Sequence, residues 1–190
     1  MLKRLLAIIG CMVLVLSTAA LTTACKRYGY GLEYELSEDG KHYIVVGFGD
    51  FSGTDLIIPK RYKGKKVREI GDCAFRQSNL ERVVIPNSIE KIGRAAFAYC
   101  INLESVTLSK RLSIIKESAF EGCEALMSIT IPKSVKTIAN LAFCCCYGLT
   151  QITIPEGVEV IGSDVFHSCR NLKKIEISST VPGVHSNSCP

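Results

Sequence analysis

The stretch LERVVIPNSIEKIGRAAFAYCIN, residues 80–102, decides the fold because the chain goes on to repeat it. LESVTLSKRLSIIKESAFEGCEA fills 103–125, LMSITIPKSVKTIANLAFCCCYG fills 126–148 and LTQITIPEGVEVIGSDVFHSCRN fills 149–171. Leu80, Leu103, Leu126 and Leu149 open these copies at a step of 23 residues. Leu172 opens a broken fifth copy, and a looser early one, TDLIIPKRYKGKKVREIGDCAFRQSN, occupies 54–79. Self-similarity at a fixed step of this length marks a repeat architecture, in which units that cannot bury their own apolar faces cover one another.

The fixed positions say what each unit is. Val83/Ile85, Val106/Leu108, Ile129/Ile131 and Ile152/Ile154 alternate with polar or small residues, which predicts a short strand with one buried face. Pro86, Pro132 and Pro155 close three of these strands, since proline cannot donate to a ladder. A second apolar pair follows: Ile89/Ile92, Leu112/Ile115, Val135/Ile138 and Val158/Ile161. Gly71, Gly93 and Gly162 then suit a left-handed turn, although Lys116 and Ala139 take that place in two copies. Next comes Ala-Phe-x-x-Cys, with Phe97, Phe120, Phe143 and Phe166, whose spacing predicts one helical turn. The expected fold is therefore an α/β repeat solenoid, strand-rich with short helical turns. About six coils at roughly 4.8 Å would make it roughly 29 Å long.

The pattern Leu-x-x-Ile/Val-x-Ile/Leu-Pro-x-x-Ile/Val-x-x-Ile-Gly-x-x-Ala-Phe-x-x-Cys resembles that of the BspA-like leucine-rich-repeat proteins, mostly bacterial surface and secreted proteins. The resemblance covers Thr54 to about Val184, and the lead-in LEYELSEDGKHYIVVGFGD, residues 32–50, is similar to the family's entry segment. It implies a right-handed, curved leucine-rich-repeat superhelix used for binding, with adhesion to host or matrix proteins. It carries over no catalytic residue, cofactor or metal.

The N-terminus has its own signature. Met1–Arg4 is basic, LLAIIGCMVLVL (5–16) is uncharged and apolar, and STAALTTAC (17–25) turns small, the layout of an export signal. LTTAC resembles a bacterial lipobox with Cys25 as the lipidated residue, though Leu21 stands four before the cysteine and Thr22 three before. IIGC, ending at Cys11, fits the local pattern but leaves a short apolar region. Three readings follow: a lipoprotein anchored through Cys25, plain secretion, and an uncleaved anchor over residues 5–24. All three place the remainder outside the cytoplasm, at the cell surface, in the periplasm or secreted.

The chain then divides into signal (1–24), tether (25–30), capping hairpin (31–53), solenoid (54–171) and a degenerate last repeat or cap (172–190). The hairpin is read from YELSEDGKHYIVV, residues 34–46, two strands around a Ser-Glu-Asp-Gly turn that would cover the first coil. At the other end, Val181 and Val184 still match Ile89 and Ile92, and SSTVPGVHSNSCP, residues 178–190, reads as a capping coil or as an edge left open to a partner.

Composition bounds the function. The net charge of +5 loses Lys3 and Arg4 with the signal, leaving +3, too mild to argue for nucleic acid or an anionic membrane surface. His42, His167 and His185 are scattered, and the sequence holds no phosphate loop, nucleophile elbow or zinc-protease motif. One row does align by repeat: Ala98, Glu121, Cys144 and His167, which could hold zinc or activate a thiol. Cys100, Cys123, Cys146 and Cys169 fall at one inward position, where small apolar packing as free thiols is expected.

No enzyme reading survives this inspection, and the expected function is binding. Solenoids bind with an extended face. The outward strand columns are Arg82, Ser105, Ser128, Gln151 and Lys174, and beside them Val84, Thr107, Thr130, Thr153 and Glu176. No aromatic cluster lies among them. The expected partner is a protein or glycan, with membrane attachment through the lipid or signal segment. A second reading is an assembly module joining two chains through the C-terminal edge.

Overall fold

A computed structural model describes residues 29–178. The stretch read as an export signal, Cys25 and the last residues of the C-terminal segment, Val181 and Val184 among them, lie outside the described residues. The strands are β1 (Glu33–Leu36), β2 (Tyr43–Gly47), β3 (Asp55–Ile57), β4 (Arg61–Tyr62), β5 (Lys65–Ile70), β6 (Arg82–Val84), β7 (Lys91–Ile92), β8 (Ser105–Thr107), β9 (Ile114–Ile115), β10 (Ser128–Thr130), β11 (Thr137–Ile138), β12 (Gln151–Ile154), β13 (Val160–Ile161) and β14 (Lys174–Ile177). Each coil contributes a first strand to one wall of the solenoid and a second strand to the other.

Parallel pairing at the repeat step joins the coils. Val83 stands opposite Val106, Ile152 opposite Ile175 and Ile92 opposite Ile115. The wall of second strands is continuous, in the order β2-β5-β7-β9-β11-β13, and β1 extends it antiparallel to β2. The wall of first strands is divided into β3-β6-β8 and β10-β12-β14. β2 lies on β5 in register Ile44–Glu69 and Val45–Ile70, so the N-terminal hairpin covers the first coil.

Between the walls run uniform columns of side chains. Leu80, Leu103, Leu126 and Leu149 are fully buried. Phe75, Phe97, Phe120, Phe143 and Phe166 stack with ring centroids 5.2, 5.3, 5.5 and 5.9 Å apart, and Phe48 of the hairpin meets Phe75 edge-on at 5.1 Å. Stacking of this kind adds to the area term that burial already supplies.

The expected helical turn is absent: the described residues contain no helix. The residue before each Ala-Phe-x-x-Cys segment and the one before its cysteine instead take left-handed backbone, Ala95 (φ 52°) and Tyr99 (φ 59°) in one coil and Leu141 (φ 58°) and Cys145 (φ 56°) two coils on. Such a conformation costs an L-residue roughly 1–2 kcal/mol. The reason it persists is a third ladder. The amides of Ala95, Phe97 and Tyr99 donate to the carbonyls of Glu117, Ala119 and Glu121 in the next coil, at 2.9, 2.8 and 2.6 Å. The intervening Ala98 amide turns back to Ala95 O at 3.1 Å. A helix would spend all these donors within its own segment; alternation sends half of them to the neighbouring coil.

The glycine expectation is corrected as well. Gly71, Gly93 and Gly162 are not among the left-handed residues. At Gly93 a Cβ would lie 2.5 Å from the Gly71 carbonyl carbon, so close approach of two coils is what calls for glycine there.

The cysteine column is more than apolar filling. Cys100, Cys123, Cys146 and Cys169 are free and fully buried. Their thiols donate to the carbonyls of Phe75, Phe97, Phe120 and Phe143, each in the preceding coil, at 3.0–3.2 Å. Ser78 starts the column, with its hydroxyl 3.1 Å from the Cys100 sulfur.

Candidate functional site

The outward columns are held by the ladders of the first-strand wall. Arg82 stands opposite Ser105 and Val84 opposite Thr107. Ser128 stands opposite Gln151, then Lys174, and Thr130 opposite Thr153, then Glu176. All ten side chains are exposed. β8 and β10 lie side by side without joining one sheet, so each column runs in two segments. The looser first repeat adds a residue to each: Asp55 precedes Arg82, and Ile57 precedes Val84.

Electrostatics differ along the face. Arg82 gathers three carboxylates, with Nε 2.7 Å from Asp55 and its other nitrogens 3.5 Å from Glu81 and 3.7 Å from Glu104. At the far end Lys174 lies 2.6 Å from Glu176, and Thr153 Oγ1 donates to the same carboxylate at 3.2 Å. Lys174 first, then Thr153, holds the Glu176 carboxyl below its usual range. The middle, Ser105 to Gln151, carries no charge.

Two adjoining grooves open at the first coils. One, of about 460 Å³, lies over Ile57, Val84 and Thr107 and is edged by Pro59, Pro86, Lys60, Asn87 and Lys110. The other, of about 490 Å³, is lined by Tyr30, Leu32, Tyr34, Arg61 and Tyr62, and shares Ile57 and Pro59 with the first. The Tyr34 and Tyr62 rings stack at 4.0 Å, with Tyr43 edge-on to Tyr62 at 5.0 Å. Burial, and secondarily Tyr62, pushes the Tyr34 hydroxyl above its ordinary value, so it stays protonated. An aromatic cluster therefore adjoins the outward columns, although none was legible among the column residues. It arises from the hairpin and from a departure in the first repeat. Asp55 pairs with Arg82, twenty-seven residues on, whereas Ile70 pairs with Ile92, twenty-two on. The stretch between the two strands of the first coil thus carries five extra residues, and they form the β4–β5 turn that bears Tyr62. The sequence signal was present in the length of the first copy.

The aligned row Ala98, Glu121, Cys144 and His167 does not converge on a reaction centre. Glu121 Oε1 accepts a hydrogen bond from the Tyr99 hydroxyl at 2.6 Å. Cys144 is buried with its sulfur 3.5 Å from that of Cys145. Burial first, then Cys145, pushes the Cys144 thiol up to about 12, far from the thiolate that metal binding or nucleophilic attack requires. His167 stands exposed. Among the described residues, no three His, Cys, Asp or Glu side chains are grouped to hold a metal ion.

Comparison with known proteins follows the repeat. A family described as the BspA-type leucine-rich-repeat region matches residues 68–188 in six copies. No curated protein matches the chain. Among solved structures, a leucine-rich-repeat protein of T. pallidum is similar at 27% identity, over 77% of this chain and 79% of that one, with a TM-score of 0.72. A leucine-rich cell surface protein of Faecalibacterium prausnitzii shares 33% identity over 78% of this chain and 38% of its own, with a TM-score of 0.70. A leucine-rich-repeat protein of Bacteroides ovatus shares 33% over 77% and 39%, with a TM-score of 0.69. The chain spans about two fifths of the length of these last two.

Proposed function

The chain belongs to the BspA-type leucine-rich-repeat proteins, non-enzymatic bacterial repeat scaffolds that bind proteins, and from that premise we propose an exported, lipid-anchored binding protein of the cell surface. Its ligand is a protein or a glycan of host, matrix or envelope, and its role is adhesion. Cys25 carries the lipid. The ligand lies along Arg82, Ser105, Ser128, Gln151 and Lys174 and the neighbouring column from Val84 to Glu176. The observation that carries this reading is the register: ten exposed side chains repeat at the coil spacing on one wall and run into the groove over Ile57, Val84 and Thr107. An extended, regular surface with a recess at one end suits a polymer better than a small molecule.

The test is capture of extracellular-matrix and envelope components by the wild-type chain beside a Thr107→Arg, Thr130→Arg variant. The reading expects bands captured by the wild type and lost from the variant. Equal capture by both removes the columns as the ligand site. Metabolic labelling with palmitate in a bacterial host, with and without Cys25→Ser, tests the anchor separately.

A second reading has one observation of its own. Val160 and Ile177, on the last described strand of each wall, are 52% and 42% exposed. A second copy pairing at that edge would cover them. Light scattering decides, since a monomer at micromolar concentration removes this reading.

A further inference from the structure

The five-residue departure in the first coil is also the most basic stretch of the chain. Lys60, Arg61, Lys63, Lys65 and Lys66 crowd into seven residues, and all five are exposed. Arg61 stands opposite Lys66, and Tyr62 opposite Lys65, across a tight turn. Elsewhere on the solenoid many cations are matched, Arg68 with Glu90, Lys133 with Glu156 and Lys136 with Glu159, and those that meet no carboxylate among the described residues, Arg94, Lys110 and Lys173 among them, are scattered singly. Here none of the five meets a carboxylate among the described residues. Arg61 and Lys65 donate only to the backbone carbonyls of Gly64 and Gly40, and Lys63 lies 5.2 Å over the Tyr62 ring.

The surroundings say what such a turn faces. Tyr30 beside it is 60% exposed, and Tyr34 and Tyr62 line the same groove. Strand alternation puts Glu33 and Glu35 on the face of β1 opposite Tyr34, and the Glu33 side chain lies along Gly47 and Gly49. Asp39 is held by Ser37 and Lys41. The exposed acids Glu33, Glu35, Glu38 and Asp50 form no ion pair with any of the five cations among the described residues. The groove begins at Gly29, four residues after Cys25, so the chain between them reaches at most about 14 Å. Lys26 and Arg27 fall within that short connection.

We propose that the β4–β5 turn docks the first coil onto an anionic lipid surface, with Lys60, Arg61, Lys63 and Lys66 at the headgroups and Tyr30 at the interface. The proposal rests on the membrane-anchored reading of the N-terminus. Juxtamembrane clusters of this size bind anionic headgroups, and tyrosine favours the same depth. The mild net charge of the whole chain hides the cluster, because five unmatched cations gather on this one turn. Docking at that turn sets the solenoid's orientation and leaves the later coils pointing away from the bilayer.

The full chain is reconstituted into vesicles of phosphatidylcholine, alone or mixed with phosphatidylglycerol, and lysine acetylation is followed by mass spectrometry. On anionic vesicles, Lys60, Lys63 and Lys66 should react about tenfold more slowly than Lys173 of the last coil. They should recover at about 0.5 M salt and show no slowing on neutral vesicles. A Lys63→Glu, Lys66→Glu variant should leave Lys60 reactive on both. Equal reactivity on the two vesicles overturns the proposal. So does protection by dextran sulfate without protection by anionic vesicles, which would assign the turn to a soluble polyanion. Flotation with neutral vesicles reads the anchor independently, so a failed anchor and a failed docking turn are told apart.

Discussion

The inner columns and the outer columns of this solenoid have the same period and opposite habits. Inside, one residue type is kept from coil to coil: leucine at 80, 103, 126 and 149, phenylalanine at 97, 120, 143 and 166, cysteine at 100, 123, 146 and 169. Outside, Arg82, Ser105, Ser128, Gln151 and Lys174 share a position and little chemistry. The inner columns answer to each other, because each ring stacks on its own copy and each thiol bonds to a carbonyl one step away. The outer columns answer to solvent and to whatever binds. Regularity therefore marks what holds the coil stack together, and irregularity marks where recognition can be encoded.

The sharpest way to break that contrast is to open the phenylalanine stack. Phe120→Ala removes a fully buried ring stacked on both sides and should cost about 3–5 kcal/mol, read from the urea midpoint. Phe166→Ala, in the last stacked coil with a ring only on its Phe143 side, should cost less. Equal costs would show that stacking adds nothing to burial.

The next effect separates packing from hydrogen bonding in the cysteine column. Cys123→Ser keeps a donor for the Phe97 carbonyl; Cys123→Val keeps the apolar bulk and loses the donor. Serine should be the milder change by about 1 kcal/mol in urea titration. The reverse order would return the column to simple apolar filling.

Titration gives a third test. Burial raises the Cys169 thiol from 9.0 to about 11, so folding favours its neutral form. A raised folded-state value means the stabilisation is whole below pH 9 and lost as pH climbs from 9 through about 11. The urea midpoint should fall over that window, and less so in Cys169→Ala. At pH 8, iodoacetamide should label exposed Cys73 and half-buried Cys145 well ahead of the column thiols. The smallest effect belongs outside: Ser128→Ala should move stability by less than about 0.5 kcal/mol.

Much of this architecture was legible because period carries it. The repeat step, the first strand of each coil and the buried leucine and phenylalanine columns could be read from residue type and spacing; the second strand was visible only as an apolar pair. The turn run could not. Ala95, Ser118 and Leu141 sit in left-handed backbone that none of them favours, and the inter-coil ladder explains it. Ala-Phe-x-x-Cys reads as a helix when each unit is considered alone. The tyrosine cluster was hidden for another reason. Tyr34 and Tyr62 are far apart in sequence and meet only because the hairpin lies on the first coil. At the outward columns, spacing gave the alignment of the residues but not the gap between β8 and β10.

The three ladders between coils all run along the direction of stacking, and that decides how the molecule answers to force. Tension applied between its two ends loads the hydrogen bonds of one coil boundary at a time, as a zipper is loaded, instead of shearing many at once. A chain held at one end and pulled by a bound partner at the other would lengthen in steps. Each released coil of 23 residues would pay out about 80 Å of slack. The same stack that gives a ligand a long rigid wall is, under load, an extensible tether.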